Sequence, residues 1–328
     1  MKNGGGIAVH FLKISDWTAE VLEQVVRGAA AVKRRRREVQ KEAPLAGRTL
    51  AMIFERPSTR TRVAFEVGML ELGGQAIVLR SEEMQLGRGE PIEDTARVLA
   101  RYVDAVMIRT TAHERIEAYA AASAVPVING LTDRHHPTQV VADLLTVLEK
   151  KGALRGMKIA YVGDGWNNVT HSWIEAAALL GLDLAVAAPD VYAPDPAIVA
   201  WAEAAAAESG ARFLWTTDPV AAVADRDVVI TDVWTSMGRE AEAAERRAIL
   251  GPYQVNERLL ASARPDAIVL HCLPAHRGEE VTADVLDGPR SVIFDEAENR
   301  LHAHKAILLH LFGRLEAVLA EAAEPGRL

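Results

Sequence analysis

Residues 49–62 read Thr49-Leu50-Ala51-Met52-Ile53-Phe54-Glu55-Arg56-Pro57-Ser58-Thr59-Arg60-Thr61-Arg62 and join a strand pattern to a helix pattern. The apolar run 49–54 is typical of a buried strand and stops before Pro57. Ser58 and Thr59 follow where a helix would begin, because hydroxyl side chains are favoured at helix N-termini. The first turn of a helix offers unpaired N–H groups and partial positive charge, which suit an anion. The stretch therefore predicts a phosphate site or, as the structural alternative, a capped helix with surface arginines.

Short apolar runs alternate with helical patterns along the rest of the chain. We predict strands at 49–54, 76–79, 104–108, 125–128, 158–162, 183–187, 212–215, 227–231, 267–271 and 291–295. Many of these runs are rich in Val and Ile without alternation, which is typical of parallel strands buried on both faces. The helical segments between them indicate βαβ units. The sequence thus predicts an α/β protein with two doubly wound parallel-sheet domains and a cleft between them.

The length of 328 residues fits two domains of ordinary size. A Lys- and Gly-containing segment, 150–156, follows a helical pattern at 137–149 and precedes a strand, so it is the predicted junction. We expect one domain at 1–150 and a second at 151–300. A last helical pattern, about 301–322 within the C-terminal segment 301–328, is expected to pack back on the first domain.

Charge and composition exclude several classes of function. The formal net charge of −8 argues against general nucleic-acid binding, and the basic run 33–37 is interpreted as a solvated face of a long helix that begins near Ser15. Cys272 is the single cysteine, so no intramolecular disulfide is possible, which fits a reducing, cytoplasmic location. The sequence shows neither a signal-peptide pattern at 1–6 nor an apolar run long enough for a bilayer, so no membrane partner is expected.

Polar clusters follow the predicted strands, where ligands bind in open α/β sheets. They comprise Ser58 to Arg62, Arg109, His136 to Gln139, Asn167 with Asn168, Asp232, and Cys272. Six such placements across two domains indicate that the cleft is lined by all of them.

The cluster in the first domain is cationic and rich in hydroxyls, which suits a small phosphorylated molecule. Its members are Ser58, Thr59, Arg60, Thr61, Arg109, His136 and Gln139. Arg109 and His136 could also polarise a carbonyl oxygen. The structural alternative for His136 is a helix start with a capping polar residue.

The second domain combines a carboxylate with amides and hydroxyls, which suits a zwitterionic amino acid. Its candidates are Asn167, Asn168, Asp232, Trp234, Ser236, Met237 and Gly238, and the alternative is a loop with an N-capping Asp. Cys272 could be inert and buried, a nucleophile whose pKa is lowered by neighbouring His and Arg, a metal ligand, or a contact to a substrate amine. One Cys with scattered His does not give a zinc pattern, so no metal is expected.

Taken together, these motifs resemble the carbamoyltransferase family over roughly residues 44–312. Ser58-Thr59-Arg60-Thr61-Arg62 and His136-Pro137-Thr138-Gln139 are similar to its carbamoyl-phosphate motifs. The segment 232–238 and His271-Cys272-Leu273-Pro274 resemble the members that use ornithine, whereas the aspartate-specific members share only the first two motifs.

The resemblance implies direct carbamoyl transfer from carbamoyl phosphate to the δ-amine of L-ornithine, giving L-citrulline and phosphate in arginine metabolism and amino-acid biosynthesis. It implies a carbamoyl-phosphate site formed by Ser58, Thr59, Arg60, Thr61, Gln85, Arg109, His136, Gln139, Cys272, Leu273 and Arg300. Gln85 would reach the site of a neighbouring subunit. It implies an ornithine site formed by Asn168, Asp232, Ser236 and Met237, with Asn167 as the alternative to Asn168. Arg60, Arg109, His136 and Cys272 would be catalytic, no cofactor or metal would be needed, and the assembly would be a homotrimer or a multiple of trimers.

Three alternatives stay open at this point. The chain could carbamoylate another acceptor, such as an acylated ornithine. It could be a nicotinamide dehydrogenase that uses the turn Gly163-Asp164-Gly165, although the third glycine of a dinucleotide fingerprint is missing and no P-loop is present. It could also be a silent paralogue that acts as a scaffold.

Overall fold

The computed structural model describes residues 10–84, 89–235 and 239–323. The chain divides into two compact units, Met1–Val141 with Arg300–Leu328, and Ala142–Asn299. It passes from the first unit to the second at residues 141–142 and returns at 299–300.

The first unit has a parallel four-stranded sheet in the order β2-β1-β3-β4, with β1 at Thr49–Phe54, β2 at Gln75–Arg80, β3 at Ala105–Arg109 and β4 at Val127–Leu131. Its helices are α1 (Ala19–Arg34), α2 (Arg36–Glu42), α3 (Thr59–Glu71), α4 (Ile92–Leu99) and α5 (His113–Ala122), with α14 (Leu315–Ala323) near the C-terminus. Two further helices, α6 (Pro137–Lys151) and α13 (Ile293–Leu311), run across the boundary between the units.

The second unit has a parallel five-stranded sheet in the order β7-β6-β5-β8-β9. Its strands are β5 (Lys158–Val162), β6 (Asp183–Ala187), β7 (Arg212–Thr216), β8 (Val228–Thr231) and β9 (Ile268–His271). Its helices are α7 (Asn168–Leu180), α8 (Pro196–Ser209), α9 (Pro219–Val223), α10 (Ala243–Leu250), α11 (Glu257–Leu260) and α12 (Ala283–Leu286). The α/β class and the parallel sheets are therefore confirmed.

The central strands are buried, and most of their side chains are apolar. All five residues of β3 are buried, and so are all four of β8. Each sheet has a switch point, where the strand order reverses direction: between β1 and β3 in the first unit, and between β5 and β8 in the second. Loops diverge at the carboxyl ends of such strand pairs and leave room for a ligand.

The predicted strand at 291–295 is wrong. Ser291 makes only an isolated bridge with Val269, and α13 begins two residues later. Phe294 is 73% exposed, which a strand buried on both faces would not allow. Asp295 and Glu296 lie in the first turn of α13, where the helix dipole favours acidic side chains.

Two helix predictions differ from the structure in their bounds. The long helix predicted from near Ser15 begins at Ala19, where the Thr18 side chain accepts a hydrogen bond from the Val21 N–H, and it is interrupted at Arg35. The last helical pattern is also divided, because Gly313, with φ of +64°, separates α13 from α14. Among the described residues, no helix has the length and apolarity required to cross a membrane.

Candidate functional site

The N-terminus of α3 follows β1 at the switch point of the first sheet. Ser58 precedes the helix with an extended backbone, and within the described residues its side chain makes no capping hydrogen bond. Thr59 is exposed, Arg60 is half-buried and Thr61 is fully buried. The first turn of α3 thus directs its backbone N–H groups towards the carboxyl end of the sheet, as an anion site requires.

Two buried guanidinium groups converge on the Thr61 hydroxyl. Arg300 donates from Nη2 to Thr61 Oγ1 at 2.8 Å, and Arg109 donates from Nη1 to the same oxygen at 3.4 Å. Arg300 also donates from Nη1 to Gln139 Oε1 at 2.9 Å. Two like charges held this close in a buried setting favour a bound anion, which would relieve their repulsion. The structure therefore brings Thr61, Arg109, Gln139 and Arg300 together as expected.

His136 lies directly before α6 and is 4% exposed. Burial, together with the positive charges of Arg300 and Arg109, holds the pKa of His136 well below its usual value. Its imidazole is therefore neutral at physiological pH. A neutral imidazole can donate one hydrogen bond to a carbonyl oxygen without adding a third cation to the cluster.

A cavity of about 620 Å³ lies beside this cluster in the first unit. Its lining includes Ser58 and Thr59 together with Arg56, Arg62 and Arg80, but it does not include Arg109, His136 or Arg300. The convergent polar groups that a small phosphorylated ligand needs are thus provided mainly by Thr61, Arg109 and Arg300. The cavity contributes Ser58, Thr59 and the nearby arginines of its lining.

Asp232 directly follows β8 at the switch point of the second sheet and is 6% exposed. Its Oδ2 accepts a hydrogen bond from Asn167 Nδ2 at 3.0 Å, and its Oδ1 accepts one from the Val233 N–H at 2.8 Å. Cys272, which follows β9, donates from Sγ to Asp232 Oδ1 at 3.1 Å. This group is a carboxylate held by neutral donors, and it suits an amine or ammonium ligand.

One of the alternatives for Cys272, a nucleophile with a lowered pKa, is disfavoured by the surroundings of its thiol. Burial, reinforced by the negative charge of Asp232, raises the pKa of this thiol well above its usual value. The group is therefore a protonated thiol that donates to a carboxylate. A covalent nucleophile needs the thiolate, so the structure disfavours that hypothesis and favours a polar contact to the substrate.

The two asparagines at the start of α7, the N-cap Asn167 and the first helical residue Asn168, have different environments. Asn167 is the N-cap, its Oδ1 accepts the Val169 N–H at 2.7 Å, and its amide nitrogen donates to Asp232. It is 3% exposed, whereas Asn168 is only half-buried. Both polar atoms of the Asn167 side chain are thus engaged by the protein, and the greater exposure of Asn168 makes Asn168 the better candidate for a substrate contact.

Arg246 in α10 was not predicted as part of the site. It is 1% exposed, and it donates through Nε to the Trp234 carbonyl and through Nη2 to the Asp164 carboxylate. Its Cζ also lies 4.3 Å from the centre of the Tyr192 ring. Arg246 thus joins the turn after β5 to the segment after Asp232. No sequence signal reveals this contact, because Arg246 and Asp164 are 82 residues apart.

The same contact bears on the dinucleotide hypothesis. Asp164 belongs to the turn Gly163-Asp164-Gly165, and it is 2% exposed. The turn is occupied by the buried ion pair of Asp164 with Arg246 and lacks the third glycine, so the structure disfavours a dinucleotide there.

Within the part of the chain that the structure describes, two groups of side chains have ligand atoms close enough for a metal ion: Asp232 with His271 and Cys272, and His276 with Glu279 and Glu280. In the first group, His271 uses both ring nitrogens within the protein and Cys272 holds its proton. Metal binding there would have to displace these partners.

Four predicted site residues, Gln85, Ser236, Met237 and Gly238, lie outside the described residues. Leu273 follows Cys272 with φ of +58°, a conformation that a residue with a branched side chain rarely adopts.

Comparisons with known proteins agree over almost the whole chain. Residues 9–149 match the family model described as aspartate/ornithine carbamoyltransferase, carbamoyl-P binding domain, and residues 155–311 match the model of the Asp/Orn binding domain. An ornithine carbamoyltransferase of Anoxybacillus flavithermus is 56% identical over 301 residues, which covers 92% of this chain and 96% of the relative. An anabolic ornithine carbamoyltransferase of Pyrococcus furiosus is 53% identical over 305 residues, with coverages of 93% and 96%. A solved structure of ornithine carbamoyltransferase from Pyrococcus furiosus has a TM-score of 0.87 at 54% identity, and the match covers 92% of this chain and 96% of that one.

Proposed function

Because the chain belongs to the aspartate/ornithine carbamoyltransferase family, we propose that it transfers the carbamoyl group of carbamoyl phosphate to the δ-amine of L-ornithine, giving L-citrulline and phosphate. The observation that carries the choice of acceptor is the buried Asp232 carboxylate with its Cys272 donor. This group attracts an acceptor that carries an amine at each end. It would repel the side-chain carboxylate of aspartate.

In this proposal, the first unit binds carbamoyl phosphate. Its ligands are Ser58, Thr59, Arg60, Thr61, Gln85, Arg109, His136, Gln139 and Arg300, with Cys272 and Leu273 from the second unit. The support is the convergence of Arg109 and Arg300 on Thr61 beside the N-terminus of α3, where a phosphate gains charge-assisted hydrogen bonds and the helix dipole.

The second unit binds ornithine in the proposal, through Asn168, Asp232, Ser236 and Met237. Asp232 is already held by Asn167 and Cys272, so its carboxylate is oriented before the ligand arrives. The half-buried position of Asn168 supports its role as a direct contact.

The proposed reaction is a direct displacement. The neutral δ-amine attacks the carbonyl carbon, a C–N bond forms, the bond from carbon to the phosphate oxygen breaks, and the amine loses one proton. Arg60, Arg109 and His136 stabilise the charge that develops on the carbonyl oxygen and on the leaving phosphate. We expect Arg60 to contribute most, because a guanidinium fork can contact both groups. Holding the two substrates together supplies much of the remaining rate.

The assembly, location and pathway belong to the same proposal. We propose a homotrimer or a multiple of trimers in which Gln85 reaches a neighbouring site, a cytoplasmic location, and a role in arginine metabolism. The name of the Pyrococcus furiosus relative, which is anabolic, supports a role in synthesis.

The decisive experiment mixes the purified protein with carbamoyl phosphate and L-ornithine and measures citrulline. Putrescine, N-acetylornithine and aspartate serve as parallel acceptors, and NADH-binding fluorescence tests the dehydrogenase alternative. Citrulline from ornithine alone is the expected result. No product from ornithine together with product from another amine would keep the carbamoyl-phosphate site and overturn the roles of Asp232 and Ser236. No product from any acceptor would overturn the proposal as a whole.

A further inference from the structure

His271, the last residue of β9, lies in a buried hydrogen-bonded chain that the proposed reaction does not use. Its Nδ1 accepts the backbone N–H of Leu273 at 2.9 Å, and its Nε2 lies 3.2 Å from Glu280 Oε1. His271 is 1% exposed and Glu280 is 0% exposed. These hydrogen bonds therefore connect the buried Glu280 carboxylate, through the His271 imidazole, to the backbone beside Cys272.

The partners of His271 determine its tautomer. A backbone N–H can only donate, so Nδ1 must carry a lone pair and the ring proton must be on Nε2. Burial opposes ionisation of Glu280, but hydrogen bonds from His271 and from the backbone outweigh it and hold the pKa of the Glu280 carboxyl below its usual value. The ionised carboxylate is an acceptor only, and it selects the tautomer that has its proton on Nε2.

The contact with Leu273 matters because of the backbone conformation there. Leu273 has φ of +58°, and a non-glycine residue in this region needs support from its surroundings. The N–H of His271 itself donates to Glu296 Oε2 at 2.8 Å, so the residue before Cys272 is fixed as well. Cys272 thus lies between two braced backbone positions, and its thiol reaches Asp232.

We propose that Glu280 and His271 are a positioning pair for the acceptor side of the site: Glu280 fixes the tautomer of His271, and His271 Nδ1 holds the Leu273 amide so that Cys272 and Leu273 are correctly oriented towards the reacting amine. This inference rests on the proposed function. Neither residue touches the substrate in this account, and both act through the backbone of residues 272–273.

Two substitutions at one position separate positioning from simple filling of space. In His271→Asn, Oδ1 can accept the Leu273 N–H as in an Asx-turn and so replaces Nδ1. In His271→Gln, the longer amide can meet Glu280 but leaves the Leu273 N–H without its acceptor. We expect His271→Asn to keep kcat/KM for ornithine within about fivefold of wild type, and His271→Gln to lower it roughly 10- to 100-fold. The dissociation constant of carbamoyl phosphate should change much less in both variants.

The matched control is the same pair of substitutions at His113, a buried histidine of the first unit whose Nδ1 lies 3.0 Å from Thr132 Oγ1. His113→Asn and His113→Gln should lower Tm but leave kcat/KM for ornithine near wild type. Equal losses of ornithine use in the two His271 variants would overturn the proposal, because only one of them removes the acceptor for Leu273.

A measurement on the wild-type protein tests the geometry without any variant. Long-range ¹H–¹⁵N correlation spectra of ¹⁵N-histidine-labelled protein distinguish the two neutral tautomers, and the His271 signal is identified by its contact with the Leu273 N–H. We expect the proton on Nε2, and a proton on Nδ1 would overturn the inference even if both His271 variants failed to fold. Wild-type protein that makes no citrulline would instead reject the proposed function and leave the tautomer result standing.

Discussion

Thr61 shows how one hydroxyl can organise two cations. Its Oγ1 accepts from Arg109 and from Arg300, and Arg300 is held a second time by Gln139. The guanidinium groups are therefore positioned before a ligand arrives. Such preorganisation lowers the cost of ordering long side chains on binding.

Thr61→Val removes this shared acceptor while preserving the shape of the side chain. We expect the KM for carbamoyl phosphate to rise roughly 10- to 100-fold, since two buried donors lose a partner worth about 1–3 kcal/mol. Steady-state kinetics and calorimetric titration with carbamoyl phosphate measure the effect. Thr61→Ser keeps the hydroxyl and should stay close to wild type, and a similar loss in both variants would show that the hydroxyl is not the important group.

Cys272 allows a second test at the scale of one atom. The thiol donates to Asp232, so Cys272→Ala should weaken the use of ornithine more than the binding of carbamoyl phosphate, with kcat/KM for ornithine falling by about tenfold or more. Cys272→Ser retains a donor and is the matched control. If Cys272→Ala weakened the use of ornithine and the binding of carbamoyl phosphate equally, Cys272 would have no specific role on the acceptor side.

Helix α13 illustrates an element whose buried histidines make stability depend on pH. His304 is fully buried, stacks on Phe65 at 3.9 Å between ring centres, and among the described residues neither ring nitrogen has a hydrogen-bond partner. Burial, with a contribution from Arg300, holds the pKa of His304 well below its usual value. Burial likewise lowers the pKa of His302 in the same helix to about 3.

The direction of the pH dependence follows from the difference in proton binding between the folded and the unfolded chain. Below about pH 6.5 the unfolded chain binds a proton at His304 that the folded chain does not, so the free energy of unfolding falls as the pH falls through this range. We expect His304→Phe to remove up to about 2 kcal/mol of this loss between pH 6.5 and pH 5. Urea unfolding at several pH values measures it, and unchanged pH dependence in the variant would show that His304 is protonated in the folded state.

Elements were predicted well where one short segment contains the whole signal. The mostly apolar runs at 158–162 and 183–187 coincide with β5 and β6, because an apolar run of that length between helical patterns fits a parallel strand. The run at 291–295 was misread because its apolar side chains resemble a strand, although only tertiary contacts decide that the chain turns into α13 there.

The candidate site divides in the same way. Thr61 and Asp232 come after strands, and this position together with their polar side chains was enough to predict them as site residues. Arg246 and Glu280 were missed, because each acts through a partner distant in sequence or through a backbone group that no side-chain pattern reveals.

For the whole molecule, the proposed chemistry predicts a pH profile that the substrate controls. The δ-amine of ornithine must be neutral to attack, and its reference pKa is near that of lysine, about 10.4. His136 is already neutral over this range, so its titration does not change the pH profile of kcat/KM. We expect kcat/KM for ornithine to rise from pH 6 to pH 8, by close to tenfold per unit, in a citrulline assay. A flat or falling profile with carbamoyl-phosphate binding intact would contradict amine attack.

The division of the chain also constrains the order in which the protein can be completed during synthesis. The first unit begins at the N-terminus but takes Arg300 and α14 from the far end of the chain, after the whole second unit. Domains usually fold as they leave the ribosome, the N-terminal one first. Here the N-terminal unit must wait with its anion site incomplete, since Thr61 can meet Arg300 only after the 239 residues from Thr61 to Arg300 have been translated. A stalled or truncated product would therefore carry the β1–α3 turn without the second arginine, and it could not trap the substrate before the enzyme is whole.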